Sequence, residues 1–343
     1  MTVKVGLHGA GMIAFAHAAA ARALGHDLAA VASRTHERAE RVASMFGAAA
    51  TTYAELAAMP PLLVVVATPP QCHADDTIAL LEHGHTVLVE KPLCRTLDEA
   101  DRVVAAAHAH GGRLLYGENL AGAPVVQHMV ALARRVGRTT HLEVRSLQGL
   151  PTWGEFTSDE WGGGALFDLG VHPLAVAMLL ANAAGEGRVT AVSASLRGGE
   201  GHNSDEYASV TLHFGSGFTA HVESSWQHGP EPQWDVQLAG DTGVIRAELL
   251  PHTSLEFNGD EVALPKANTN PSALSDLGYV AQLDTLVRDS AQGIEPAMSA
   301  AFGREVLQVV MAAYTSAGAQ EEVIALPFSG PRHLTPLQYW HGA

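Results

Sequence analysis

A glycine-rich turn directly behind an apolar segment is the feature that most constrains the fold of this chain. Residues 3–9 have the composition of a buried strand, and Gly9-Ala10-Gly11-Met12-Ile13-Ala14 has the spacing G-x-G-x-x-A at the start of an Ala-rich stretch. In such a turn the first glycine permits a tight bend, the second admits a pyrophosphate, and the small third residue allows close helix–strand packing. The free N–H groups of the next helix favour phosphates. We therefore expect Gly9, Ala10, Gly11, Met12 and Ile13 to bind a dinucleotide; the alternative is a glycine-rich turn without a ligand.

Apolar runs alternate with Ala-rich stretches through the first third of the chain. Strands are predicted at 3–9, 28–33, 62–67, 86–90 and 113–117, with helices at 13–24, 35–46, 72–83 and 97–110 between them. This alternation is typical of βαβ units and a parallel sheet. Five such strands predict a Rossmann-type sheet that binds its ligands at the carboxyl ends of the strands.

The pattern changes after residue 135 to longer alternating strands with glycine-containing turns. Strands are predicted at 139–147, 189–197, 207–214, 218–226, 234–239, 243–249 and 323–326, and helices at 165–180, 275–292 and 300–317. We therefore expect an α/β Rossmann domain over residues 1–120. Residues 121–343 should form an α+β domain for substrate binding and oligomerisation, with a large, mostly antiparallel, open-faced sheet. The late helix near 300–317 is expected to pack back on the Rossmann domain.

Composition excludes several classes of function. The formal charge of −16 leaves no basic stripe for a nucleic acid. No apolar run reaches the roughly 18 residues of a membrane span, and the N-terminus lacks the pattern of a secretory signal. Cys72 and Cys94 are the only cysteines, which fits a reducing cytoplasm. Histidines, cysteines and carboxylates do not cluster at metal-ligand spacing, so we expect no metal.

The end of the second predicted strand indicates which dinucleotide binds. The acidic residue that grips the ribose of NAD at this place is missing, and Ser33, Arg34 and Thr35 stand there, with Arg38 one turn later. A guanidinium and hydroxyls can bind a 2′-phosphate. The sequence therefore favours NADP(H) over NAD(H), although Arg34 could equally stack on the adenine of either cofactor.

Two further motifs follow predicted strands at the same sheet edge. Ala67, Thr68 and Pro69, with His73 behind them, end the third strand, and Glu90-Lys91-Pro92 ends the fourth. We expect all of these residues except Pro92 to face the cofactor; a structural strand-to-helix turn is the alternative for the first motif. Positive charge comes almost entirely from arginine, and Lys91 is one of only three lysines, with Lys4 and Lys266. A lysine in such a sequence suggests an amine that must deprotonate or fit as a compact point charge, in either case one that arginine cannot replace.

A third motif lies in the second half of the chain. Three glycines, 162–164, precede a predicted helix that carries Asp168 and His172. A spacing of four places both side chains on one face of a continuous helix. They could therefore point into one cleft, or they could form a structural Asp–His pair.

These motifs together resemble the glucose-fructose oxidoreductase, inositol dehydrogenase and MocA family over nearly the whole chain. The resemblance implies hydride transfer between NAD(P) and a secondary alcohol or ketone of a sugar, cyclitol or related polyol. It implies that His172 and Lys91 share proton transfer and polarisation of the substrate oxygen, in roles that they could exchange, and that Asp168 binds or orients the substrate. A homodimer or homotetramer formed through the C-terminal sheet is also expected.

The chain departs from the family pattern where the substrate is read. Ala175 stands three residues after His172, where the family often has an aspartate, and Ala121 stands where many members have an arginine. Asn119 is expected at the cofactor. Candidate substrate residues are Glu118, Arg145, Trp153 and Trp161.

Two alternative functions remain open for such a chain. Some relatives use tightly bound NAD to hydrolyse glycosides without net redox, and others are non-catalytic dinucleotide sensors. The presence of Lys91, Asp168 and His172 favours an enzyme over a sensor.

Overall fold

A computed structural model describes residues 2–266, 269 and 272–342 of the chain. The chain divides into two compact units. The first unit comprises the described residues of Met1–Cys94, Asp98–Gly122 and Ala267–Arg304; the second comprises those of Arg95–Leu97, Ala123–Lys266 and Glu305–Ala343.

The first unit is built on a six-stranded parallel sheet. Its strands are β1 (Lys4–His8), β2 (Asp27–Ala32), β3 (Ala49–Thr51), β4 (Leu63–Val66), β5 (Thr86–Glu90) and β6 (Leu114–Gly117). They lie in the order β3-β2-β1-β4-β5-β6, and every neighbouring pair is parallel. This is the Rossmann order, and the connections reverse direction between β1 and β4, where such sheets bind ligands.

Twelve α-helices lie in the described part of the chain. They are α1 (Met12–Ala23), α2 (His36–Phe46), α3 (Tyr53–Ala57), α4 (His73–Glu82), α5 (Leu97–Ala109), α6 (Pro124–Leu132), α7 (Ala165–Asp168), α8 (Val171–Ala184), α9 (Ala273–Asp276), α10 (Tyr279–Gln292), α11 (Ala300–Gly318) and α12 (Pro336–His341).

The sheet of the first unit has one strand more than the sequence predicted. β3 pairs with the end of β2 through Ala30, Val31 and Ala32. Its three residues, Ala-Ala-Thr, follow α2 closely and show no alternation of apolar and polar residues. A strand this short has no periodic signal, so only its pairing with β2 reveals it.

The predicted boundary at residue 120 misses a late segment that belongs to the Rossmann unit. Leu283 and Leu286 of α10 are fully buried in one core with Ala14 and Ala18 of α1. The prediction placed the returning helix at 300–317, whereas α10 and the residues up to Arg304 belong to the first unit. An apolar stripe on α10 covers α1, so α10, and not only the start of the helix after it, packs in the Rossmann unit.

The second unit is built on a nine-stranded mixed sheet. Its strands are β7 (Thr139–Leu147), β8 (Val189–Gly198), β9 (Asp205–Phe214), β10 (Thr219–Ser225), β11 (Gln233–Gly240), β12 (Val244–Leu250), β13 (Ser254–Phe257), β14 (Asp260–Glu261) and β15 (Ile324–Ala325). The order is β14-β13-β12-β11-β7-β10-β9-β8-β15; β7 and β10 are parallel and the other neighbours antiparallel. α8 packs on β7 and β10. The opposite face carries polar side chains, and association of copies through it stays a prediction.

The helix predicted at 165–180 is broken into α7 and α8, with an angle of 49° between the helical segments Asp159–Asp168 and Val171–Ala184. Pro173 lies in the first turn of α8. It has no N–H for the Leu169 carbonyl, and its ring would clash with that carbonyl in a continuous helix. The argument that one helix face carries Asp168 and His172 is therefore wrong: Asp168 ends α7 and His172 lies in the first turn of α8.

No single helix in the described part of the chain has the length and apolarity needed to cross a membrane. The bent pair Asp159–Asp168 and Val171–Ala184, taken together, has that length and apolarity, by length and composition only.

The packing of α10 on α1 predicts that a late residue stabilises the Rossmann unit. Replacing Leu286 by Ala should lower the free energy of unfolding by about 2–5 kcal/mol, because it leaves a cavity in a closed core. Urea unfolding followed by circular dichroism measures this change. Ile294→Ala, at a side chain that is 52% exposed, is the control and should change it by less than about 0.5 kcal/mol. Equal small effects at both positions would contradict the assignment of α10 to this core.

Candidate active site

The glycine-rich turn lies where β1, β2 and β4 end. Gly9 has φ +127°, and a Cβ there would overlap the Ala67 carbonyl. The Gly9 amide donates to the Ala32 carbonyl at 3.0 Å, and the Ala67 amide donates to the His8 carbonyl at 2.9 Å. A side chain at position 9 would force these three strand ends apart, so the turn requires glycine.

The N-terminus of α1 is open. Gly11 is its N-cap; no side chain caps the helix, and the first turn contains no acidic residue. A Cβ on Gly11 would have no neighbour within 4 Å. The first amides of a helix need an external acceptor, and the helix dipole favours an anion there. These residues therefore fit the phosphates of a dinucleotide, with Met12 and Ile13 in the first turn. Ala14 is buried in the core behind them.

The end of β2 has the residues on which the cofactor preference depends. Ser33 is half-buried, and Arg34, Thr35 and Arg38 are exposed. Thr35 is the N-cap of α2 but makes no side-chain capping bond. Hydroxyl and guanidinium groups thus face solvent at this edge.

The end of β4 holds a polar network that the sequence did not indicate. The Thr68 hydroxyl donates to Asp76 Oδ2 at 2.7 Å, and His8 Nε2 lies 3.3 Å from Asp76 Oδ1. Burial opposes ionisation of Asp76, but His8 and Thr68, together with the charge of His73, outweigh it and lower the pKa of Asp76. His8 also stacks on Tyr53, with 4.1 Å between the ring centroids. The side chain of Thr68, a predicted cofactor residue, is therefore fixed by its hydrogen bond to Asp76.

His73, another predicted cofactor residue, connects the ends of β4 and β5. Its Nε2 lies 2.8 Å from the Thr68 carbonyl oxygen, and its Nδ1 lies 2.9 Å from that of Pro92. The ring is 1% exposed. His73 therefore fixes the backbone beside Lys91, between two motifs that the sequence placed at the same sheet edge.

Lys91 lies directly after β5 and is half-buried. Its amide donates to Glu90 Oε2 at 3.0 Å. Glu90 Oε1 lies 2.6 Å from Nε2 of His17, a residue of α1, and both side chains are buried. The nearby hydroxyl of Tyr279 has its pKa raised by burial and then by the charges of Glu90 and Glu118. The Glu-Lys-Pro motif is thus anchored to the helix that begins at the glycine-rich turn.

Glu118 and Asn119 follow β6 and have backbone partners. Glu118 Oε1 accepts from the Leu120 amide at 3.1 Å, and Asn119 Nδ2 donates to the Leu277 carbonyl at 2.7 Å. Both residues are at least 96% buried, at 1% and 4% exposure. Through these hydrogen bonds the two side chains stabilise the backbone that follows β6. The role of Glu118 toward a substrate and that of Asn119 toward the cofactor stay predictions.

In the second unit, a turn of three glycines leads to Asp168 and His172. Gly162, Gly163 and Gly164 all have positive φ, at +95°, +60° and +95°. Asp168 and His172 are 7% and 6% exposed. The His172 ring packs against Trp234, with 5.6 Å between centroids.

A buried carboxylate holds this turn in place. The Leu166 amide, in the first turn of α7, donates to Asp205 Oδ2 at 2.8 Å, and the Tyr314 hydroxyl donates to Asp205 Oδ1. The same hydroxyl lies 3.1 Å from the Gly163 carbonyl oxygen. A Cβ on Gly164 would overlap the carboxylate. Burial raises the pKa of Asp205 to about 6.

Two of the candidate substrate residues lie in an aromatic cluster, and a third lies elsewhere. Trp153 is 45% exposed and meets Phe156 edge to face at 4.7 Å; Phe156 meets Trp161 in the same way at 5.0 Å. Arg145 lies on the sheet face opposite to α8 and binds Asp235 through two 2.9 Å hydrogen bonds. Its guanidinium is held in this ion pair, and its role toward a substrate stays a prediction.

The sequence did not single out several residues that support the site. His17, Asp76, Asp205, Trp234 and Tyr314 carry no local motif. The signal available for His17 was its place in the apolar face of an Ala-rich helix, whereas Asp205 and Tyr314 meet across 109 residues of chain. The described residues contain no group of three His, Cys, Asp or Glu side chains arranged to hold a metal.

Comparison with known proteins agrees with this geometry. The family described as "Oxidoreductase family, NAD-binding Rossmann fold" matches residues 3–118, and the GFO/IDH/MocA C-terminal domain matches residues 126–246. The chain belongs to the Gfo/Idh/MocA family. The Rossmann unit and the mixed, mostly antiparallel sheet predicted from the sequence are thereby confirmed, as is the family resemblance.

Individual relatives of this family member are distant. This chain is 29% identical over 326 residues to the 1,5-anhydro-D-fructose reductase of Ensifer adhaerens, and the match covers 88% of this chain and 93% of that protein. It is 32% identical over 160 residues to the D-glucoside 3-dehydrogenase of Escherichia coli K12, covering 44% and 46%. Matches to the first relatives span about half of their length or less, at 52%, 35% and 46%. Among solved structures, GenD2 from gentamicin A biosynthesis in complex with NAD superposes with a TM-score of 0.82 at 25% identity, covering 95% and 96%.

The buried Asp205 carboxyl predicts a pH-dependent stability. Because its folded pKa of about 6 lies above the ordinary value of 3.8, the folded state binds more protons between these values. Stability should therefore fall as pH rises through this window. Replacing Asp205 by Asn removes the titrating group, so the stability of the native protein relative to Asp205→Asn should decline from about pH 4 to about pH 6.5 and then level off.

Urea unfolding of the native protein and the variant across this pH range measures the difference. Asp260→Asn, at an exposed carboxylate, is the control. Its curve should run parallel to that of the native protein. A parallel curve for Asp205→Asn would show that Asp205 ionises normally.

Proposed function

We propose that this protein is an NAD(P)-dependent oxidoreductase that transfers a hydride between the nicotinamide and a secondary alcohol or ketone of a sugar, cyclitol or related polyol. The observation that carries the proposal is the open N-terminus of α1 behind Gly9, which has neither a capping side chain nor a carboxylate to repel a phosphate. The substrate class is supported by relatives named for a glucoside, an anhydrofructose and inositol.

The chemical roles fall to three side chains. A bound dinucleotide supplies the hydride acceptor or donor. Oxidation of an alcohol also requires a base for the hydroxyl proton and a positive charge for the developing alkoxide. We assign the proton transfer to His172 and the polarisation of the substrate oxygen to Lys91, in roles that the two could exchange. Asp168 binds a substrate hydroxyl or orients the substrate.

The cofactor preference follows from the end of β2. Ser33, Arg34 and Thr35 offer hydroxyls and a guanidinium where an NAD site has a carboxylate. The exposed Arg34 and Arg38 can form charge-assisted hydrogen bonds to a 2′-phosphate. We infer that the protein prefers NADP(H) to NAD(H).

Cofactor binding is tested by thermal-shift titration of the cofactor-free protein with NADP, NAD and their reduced forms. A ligand that binds only the folded state raises the melting temperature by mass action, and we expect a larger rise with NADP(H). Ser33→Asp should reverse the order, since its carboxylate would repel the 2′-phosphate. Ser44→Asp, in the last turn of α2, is the control, and the shift with NADP(H) should remain larger than the shift with NAD(H). A larger shift with NAD(H) would overturn the preference alone, and no shift with any of the four would overturn the proposed function.

The catalytic roles are tested by turnover with myo-inositol, methyl D-glucoside and 1,5-anhydro-D-fructose as probes. Lys91→Ala and His172→Ala should each lower kcat by about 10²- to 10⁴-fold, which is the usual contribution of acid–base groups. Lys266→Ala and His252→Ala, both at exposed positions, are matched controls and should leave kcat unchanged. Native turnover in either catalytic variant would refute the role of that residue. Absence of turnover with every probe, despite cofactor binding, would refute the substrate class.

A further inference from the structure

A buried pair joins the helix of the glycine-rich turn to the segment that carries Lys91. His17 of α1 and Glu90 at the end of β5 are 73 residues apart, and His17 Nε2 lies 2.6 Å from Glu90 Oε1. The His17 side chain is 0% exposed and that of Glu90 is 7% exposed. Solvent screens such a contact little, so its strength and direction are set by the protein.

The orientation of the His17 ring depends on Glu90. Its Nδ1 is buried and has no hydrogen-bond partner among the described residues. The ring meets Tyr279 of α10 edge to face, with 5.6 Å between centroids. Packing against Tyr279 therefore fixes the position of the ring, and the hydrogen bond to Glu90 fixes its orientation.

The other oxygen of the same carboxylate acts on Lys91. Glu90 Oε2 accepts the Lys91 amide at 3.0 Å. His17 and the Lys91 backbone are thus held by the two oxygens of one carboxylate. Because the two oxygens belong to one rigid carboxylate, a rotation away from His17 also moves the oxygen that accepts the Lys91 amide.

We propose that His17 is a positioning residue for Lys91 and acts through the Glu90 carboxylate. The proposal rests on the proposed function, in which Lys91 polarises the substrate oxygen. The helix whose N-terminus offers its amides to the dinucleotide then also sets the place of Lys91. Small displacements of a reacting group cost roughly a hundredfold in rate for about 1 Å, so this bond bears on kcat rather than on substrate binding.

Kinetics of His17 variants test the proposal with the probe that gives turnover. His17→Leu should lower kcat roughly 10- to 100-fold with little change in KM. His17→Gln keeps a donor for Glu90 and should restore most of the rate. His85 is the matched control: it is fully buried in the same unit, accepts from the Leu62 amide and contacts the Ala57 carbonyl, and it precedes β5 at the opposite end of the strand from Lys91. His85→Leu should lower the melting temperature without changing kcat.

A double-mutant cycle shows whether His17 acts through Lys91. In a Lys91→Ala background, His17→Leu should cost no further rate, because residues that act through one another are not additive. Full additivity of the two losses would overturn the proposal. Native turnover in Lys91→Ala would instead overturn the catalytic assignment of Lys91, which is a failure of the proposed function.

A spectroscopic measurement tests the position of Lys91 without any substrate. The lysines of the sequence are Lys4, Lys91 and Lys266, so reductive methylation with ¹³C-formaldehyde gives three lysine signals besides that of the α-amino group. Loss of one signal in Lys91→Ala assigns the Lys91 signal. That signal should shift in His17→Leu, shift less in His17→Gln, and keep its native position in His85→Leu. An unshifted Lys91 signal in His17→Leu would overturn the proposal even if turnover fell.

Discussion

The close approach of Gly9 to the Ala67 carbonyl is the contact on which the first unit depends. It allows β1, β2 and β4 to end together, tied by backbone hydrogen bonds from Gly9 to Ala32 and from Ala67 to His8. Because only Gly9, Ala10 and Gly11 separate β1 from α1, the helix begins at the point where the sheet connections reverse, with its amides open. Any side chain at position 9 would overlap the Ala67 backbone and force the strand ends apart.

Both units use a buried carboxylate behind their candidate site residues. In the first, Glu90 lies between His17 and the Lys91 amide; in the second, Asp205 lies between Tyr314 and the Leu166 amide. An isolated carboxylate in such surroundings is strongly disfavoured, but hydrogen bonds to both oxygens offset much of that cost. The result is a rigid backbone next to the side chains assigned to catalysis. Removing a partner leaves an uncompensated polar group, so these supports are harder to replace than apolar contacts of equal area.

The parts of the fold and site that could be predicted are those with a local signal. The turn at Gly9 and the motif at Lys91 combine a fixed spacing with a strand that precedes them, and the structure places both at strand ends. Contacts between distant segments left no such signal: His17 with Glu90 and Asp205 with Tyr314 are separated by 73 and 109 residues. The helix break before Pro173 was missed for another reason. Apolar residues continue on both sides of the break, so the pattern of side chains does not mark it, whereas the missing N–H of Pro173 interrupts the backbone.

The contribution of α10 to the core of the first unit has a consequence for synthesis of the chain. A ribosome releases the strands β1–β6 first, but α1 keeps part of its apolar surface uncovered until Leu283 and Leu286 have emerged. Domains that are continuous in sequence can complete their cores during translation. This one cannot, because residues 123–266 of the second unit are made in between. The nascent Rossmann segment therefore spends most of translation as an incomplete domain, in the period when chaperones act on exposed apolar surface.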